Sequence, residues 1–172
     1  MLNQAILEIE RHVAASGWDG PARLYALVDT AALLREEPAL AAQLGLDDVP
    51  DLGLPASLTP VEQEEFPADE PLDEVLAGIL WGPAVDGCAL SVERLMLPPQ
   101  AEAGLPATDE DAAAYAAAHP EREDVRIVVG VLRDGTVDTV LRLRSQDRDD
   151  AVVFGPDLVP GLARALAATF EE

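Results

Sequence analysis

The 172-residue chain sets 33 acidic residues against 11 arginines and no lysine, a formal net charge of −22 at pH 7. That surplus opposes binding to DNA or RNA backbones, which needs clustered cations to displace counterions. The lone Cys88 excludes an internal disulfide, and no apolar run approaches the roughly 20 residues needed to cross a bilayer.

Hydrophobic residues make up 49% of the chain, but 29 of them are alanines, so packing falls mainly to Leu and Val. The length suits one domain spanning 1–172. The first residues lack the basic and apolar regions of a signal peptide, and a cytoplasmic protein without membrane insertion is expected.

In chain order, Leu2, Ile6, Ile9 and Val13 recur at spacings of four, three and four, predicting an amphipathic helix that ends near Ser16-Gly17. Trp18-Asp19-Gly20-Pro21 breaks the chain. A strand over 23–28 follows, then a helix capped by Asp29 or Thr30 and a second short helix, 38–44, opened by Pro38 and closed by Gly45. Residues 47–70 read as a long, Pro-rich, acidic connection. Within it, Thr59-Pro60-Val61-Glu62 has capping-box spacing and predicts a short helix. Between Arg35 and Arg94 stand 14 acidic residues and no basic one, a pattern that reads as a solvated face.

Residues 71–81 predict a helix with Leu72, Val75, Leu76 and Ile79 on one side. Cys88, Leu90, Val92 and Met96 alternate along a strand, 88–97, which leaves Arg94 on its apolar face. Thr108 caps an alanine helix, 112–118, whose acidic first turn complements the helix dipole.

Residues 125–144 carry the strongest local signal, two runs of β-branched residues joined by Asp134-Gly135. A two-residue type I′ turn there places Leu132 opposite Val137, Val128 opposite Leu141 and Arg126 opposite Leu143. Arg142 and Arg144 then project from the face opposite to Arg126, with all three arginines gathered at the end away from the turn. An acidic turn at 145–150, a last strand at 151–154 and a helix bearing Leu158, Leu162, Leu166 and Phe170 complete the chain. The order predicts an α+β fold: a mainly antiparallel sheet centred on the 125–144 hairpin, flanked by N- and C-terminal amphipathic helices.

Chemistry is harder to find. His12 and His119 are isolated, and no zinc-protease, Cys-x-x-Cys, Gly-x-Ser-x-Gly or phosphate-loop pattern occurs. Cys88, opening an alternating strand, reads as a small core residue. Asp147, Asp149 and Asp150 lack the central glycine and terminal glutamate of a calcium loop. No catalytic residue, metal ligand or cofactor is assigned. Trp18 and Trp81, beside Gly-Pro turns, read as core anchors, with exposed interface anchors as the alternative.

Four stretches, Gly17 to Val28, Leu58 to Glu64, Gly87 to Arg94 and Gly155 to Leu162, carry a resemblance to an uncharacterised protein family of actinobacteria. The resemblance brings no catalytic residues with it. The use of Arg without Lys, beside many Ala and Pro, fits a GC-rich genome.

Two functions follow. The first is a non-enzymatic binding or adaptor protein, with an unknown protein partner met by guanidinium groups that pair carboxylates bidentately. The second is a small-ligand sensor or enzyme that holds an anionic metabolite on Arg126, Arg142 and Arg144, with Arg94. Against both stands the possibility that the chain's own carboxylates occupy these arginines. A two-fold homodimer is also expected, through Val137, Val140, Leu141 and Leu143, if short helices leave them uncovered.

Overall fold

Leu2, Ile6, Ile9 and Val13 fall on one side of helix α1 (Leu2–Ala15), and all four are buried against the sheet. The computed structural model describes residues 1–46, 57–67 and 69–171, and part of the expected acidic connection, 47–56 with Ala68, lies outside them. Gly17, at φ +82°, turns the chain out of α1, a left-handed position glycine takes without a Cβ clash. Strand β1 (Arg23–Asp29) leads into α2 (Thr30–Glu36), where Asp29 Oδ1 accepts the Ala32 N–H at 2.8 Å, and α3 (Pro38–Gln43) follows with proline at its start.

Thr59-Pro60-Val61-Glu62 does not open a helix; it lies in β2 (Leu58–Glu62), antiparallel to β1. The ladder takes precedence over the capping spacing because β2 is an edge strand, where a proline costs no inner hydrogen bond. Thr59 Oγ1, free of any cap, shares a hydrogen bond of 2.9 Å with Thr30 Oγ1. Helix α4 (Leu72–Ala77) stops at Gly78, short of the expected 81, and β3 (Gly87–Met96) follows. The short α5 (Pro99–Glu102), unforeseen in the sequence, precedes α6 (Asp109–Ala118), whose Thr108 cap accepts the Asp111 N–H at 3.3 Å. Strands β4 (Glu123–Leu132), β5 (Val137–Leu143) and β6 (Val153–Gly155) lead to α7 (Pro160–Ala168).

The six strands form an antiparallel sheet in the order β2-β1-β3-β4-β5-β6, and the fold is α+β. Helix α1 covers one face, over Tyr25, Leu27, Ala89, Val128 and Val140. Helices α4 and α7 cover the other, over Leu24, Cys88, Leu90, Ile127 and Val129. Of the four residues expected to remain for a dimer, Val140 is buried under α1, while Val137, Leu141 and Leu143 are partly buried against the second core. At Gly130 the approach of α1 is close enough that a Cβ would sit 2.7 Å from Ile6 Cγ2 and 2.8 Å from Leu2 Cδ1.

The hairpin forms where expected, with a different turn and a register shifted by one. Gly135 N–H donates to Leu132 O at 3.0 Å and Leu132 N–H to Thr136 O at 2.9 Å. Among the hairpin-loop residues Gly135 alone has positive φ, at +89°. This is a three-residue loop, a type I turn followed by a glycine bulge, in place of type I′. The extra residue moves every pairing: Val131 opposes Val137, Val128 opposes Val140 and Arg126 opposes Arg142. Because side chains alternate with period two, a slip of one residue exchanges faces. Arg126 and Arg142 therefore share the α1 face, where the sequence reading placed them apart.

Gly135→Val is expected to lower stability by about 1–3 kcal/mol, as a β-branched residue is forced to positive φ. A Cβ at Gly135 would meet nothing within 4 Å, so the penalty is conformational alone. Urea unfolding measures it, and an unchanged midpoint would contradict the bulged turn.

Candidate functional site

Register and helix phase together decide the fate of the arginines. Glu10 lies four residues after Ile6 and three before Val13, which carries it onto the apolar side of α1, where it is 0% exposed. It meets the cross-strand pair Arg126 and Arg142. Arg142 grips it bidentately, Nε to Oε1 at 2.5 Å and Nη2 to Oε2 at 2.9 Å. The same guanidinium donates from Nη1 to Asp147 Oδ1 at 3.1 Å and from Nη2 to Asp149 Oδ1 at 2.6 Å. These partners, the Glu10 bond first, hold Arg142 protonated well above the usual arginine range.

Arg126 is 0% exposed and more loosely held. Its Nη2 donates to Gly17 O at 2.6 Å, and ion contacts of 3.7 Å reach Glu10 and Glu93. Its Nε and Nη1 have no hydrogen-bond partner among the described residues. Trp18, delivered by the Gly17 turn, lays its ring 4.4 Å from the Arg126 Cζ, a cation–π contact that offsets part of the lost hydration. The indole N–H donates to Asp147 Oδ2 at 3.1 Å. Arg144 stands 5.5 Å from the same ring and pairs with both oxygens of Asp19 at 3.0 and 3.1 Å. Asp19 is a non-glycine residue at φ +65°, a conformation aspartate tolerates better than most.

The structure thus sets Arg126 and Arg144 against the Trp18 ring and joins Arg142 to its indole N–H through Asp147, and it sets Arg94 apart. Arg94 pairs with Val125 on the opposite face of the sheet and is exposed. Glu10 was missed in the sequence. The signal was present, a glutamate at helical spacing inside the apolar stripe of α1.

Asp147 is held below the ordinary carboxylate range, first by the Trp18 N–H and then by Arg142, and Asp19 is lowered by Arg144. A carboxylate whose folded pKa is depressed adds stability above its unfolded pKa of about 3.9 and loses it as pH falls through the folded value. Stability measured by urea between pH 6 and pH 2.5 is expected to start higher and fall faster in the native protein than in Asp147→Asn, with the two curves converging below about pH 4. Parallel curves would remove Asp147 from the acid response.

Catalytic readings of the remaining groups find little geometry. Burial pushes the Cys88 thiol up to about 12, and its Sγ lies 3.8 Å from Thr169 Oγ1 beneath α7. His119 caps α6, its Nδ1 accepting the Glu121 N–H at 3.1 Å.

An open groove lies on the other side of the molecule. It measures about 530 Å³ and runs between the segment after β2 and the α4 region, with Leu24, Phe66, Val75 and Ile79 among its walls. Trp81 is fixed there by a hydrogen bond from Nε1 to Thr169 Oγ1 at 2.8 Å and by stacking on Phe170 at 6.0 Å. Leu80, 92% exposed, lines it as well. Glu65, Glu70 and Glu74 supply the lining carboxylates, with no cation among the described lining residues. Past Gln63 and Phe66 a second depression of about 430 Å³ continues it, adding Glu62, Glu64 and Arg23, whose Nε lies 3.8 Å from Glu62.

No curated protein and no solved structure matches the chain. The model of the PPA1309-like protein family matches residues 2–171, and the chain belongs to that family.

Proposed function

We propose that the protein is a non-enzymatic binding protein, an adaptor that presents a preformed surface to another polypeptide. The observation that carries the reading is an open groove lined by apolar side chains and carboxylates together, with Trp81 held in its lining, in a chain whose buried Glu10 and Arg142 are spent on each other. Clefts of a few hundred Å³ are common binding sites, and one this open, with polar and apolar lining in about equal measure, suits a polypeptide segment better than an enclosed small molecule. The groove takes the place that the sequence reading gave to the arginines. The second reading, an anionic metabolite on the arginine cluster, requires a ligand to displace Glu10 or Asp19 from contacts already made, and only Arg94 of the four is without such a contact among the described residues. An actinobacterial source belongs to the proposal, on the arginine-only basic composition, and so does a cytoplasmic location. No described helix is long and apolar enough to cross a membrane.

The test pairs crosslinked affinity capture from native extract with a thermal-shift series of anionic metabolites. A polypeptide captured in near-stoichiometric amount, with no metabolite raising the midpoint, is the expected result. A metabolite that raises the midpoint while no polypeptide is captured would overturn the reading, since a ligand of the folded state must stabilise it.

A further inference from the structure

We infer that the groove between the segment after β2 and α4 receives a short basic segment of a partner protein, one that alternates arginine or lysine with leucine- or phenylalanine-like anchors. The inference rests on the adaptor reading and names the chemistry of its partner.

Charge and shape argue together. Five carboxylates, Glu62, Glu64, Glu65, Glu70 and Glu74, line the two joined depressions, and Arg23 is the single cation among their described lining residues. Arg23 is already beside Glu62. Complementary potentials steer a cationic partner and disfavour an anionic one. Beside the carboxylates stand Leu24, Phe66, Val75 and Ile79, and Trp81 among them is held at both its N–H and its ring face. A pinned aromatic in a preformed pocket is the usual setting of a binding hot spot, where little ordering entropy is lost on docking.

An extended segment fits because the two depressions adjoin at Gln63 and Phe66, just past the end of edge strand β2, so that one occupant can engage both. A metal ion would need its ligands to converge, and no three His, Cys, Asp or Glu side chains do so among the described residues. Leu80, almost wholly exposed within the lining, gives the segment an apolar contact.

The test is a titration of the ¹⁵N-labelled protein, followed by backbone amide shifts, with an acetylated and amidated octapeptide that alternates arginine with leucine and phenylalanine. Its control replaces the apolar positions with serine and keeps the charge. The octapeptide is expected to shift amides of 63–66 and 72–81 selectively and to bind at least 10-fold tighter than the control. Binding should weaken at least 10-fold in Glu70→Arg/Glu74→Arg, two exposed positions whose reversal leaves the core intact. Equal binding of the serine control, shifts spread over the acidic surface, or unchanged affinity in the reversed variant would each overturn the inference. Shifts of the same amides with protein concentration alone would assign the groove to a second copy, and overturn it too. Capture of a polypeptide from extract by both native and charge-reversed protein would sink the groove and leave the adaptor reading standing. No capture and no octapeptide binding would sink both.

Discussion

Replacing Glu10 with alanine is expected to lower the unfolding free energy by about 3–5 kcal/mol, the typical cost of removing one partner from a buried ion pair. The large effect follows from burial: Glu10 and Arg126 are 0% exposed and Arg142 is 2% exposed, so the guanidinium nitrogens that Glu10 leaves have little water to return to, while Arg142 keeps Asp147 and Asp149. Arg142→Met should cost a similar amount, because Arg142 makes both short bonds to Glu10. Arg126→Met should cost less, since Glu10 keeps its bidentate partner and the nitrogens lost include two without hydrogen bonds. Replacing all three with apolar residues of similar volume is expected to be neutral or stabilising, because no charge then needs to be desolvated. Arg144→Gln, at an exposed pair, should leave the midpoint nearly unmoved. Urea unfolding at pH 7 measures the series, and a loss below about 1 kcal/mol for Glu10→Ala would mean that the cluster is hydrated.

Leu166→Ala should lower stability by about 2–5 kcal/mol, from lost transfer energy and the cavity left behind. Leu166 is 0% exposed and seats α7 on the second face of the sheet, with Leu76 and Cys88 in the same core. Because Thr169 and Phe170 lie within one turn of it and hold Trp81, a looser α7 should also blur the groove. Octapeptide binding should then weaken beyond what the unfolded fraction explains. Calorimetric unfolding with parallel binding measurements checks both parts, and full stability in the variant would contradict the packing of α7.

Local signals in the chain were read correctly where one residue type answers to one geometry. The periodicity of α1, the Asp29 and Thr108 caps, the extent of β3 and the glycine at 135 each correspond to an observed feature. Thr59-Pro60 shows the limit of such signals. The same four residues satisfy a helix cap and an edge strand, and only the free side of β1 decided between them.

The sequence alone determined that a hairpin joins two valine-rich strands and that helices must cover the sheet, since these depend on neighbours a few residues apart. It could not settle whether the loop holds two residues or three, because Asp-Gly serves the type I′ turn and the bulged type I turn alike. That single residue fixes the face of every side chain on β5, and with it whether Arg142 joins Arg126 or opposes it. The pairing with Glu10 spans 132 positions in the chain, and the groove joins residues from β1, the segment after β2 and the α4 region. Long-range burial of charge is a property of packed surfaces rather than of local pattern, so the ion cluster and the groove became visible only in the tertiary structure.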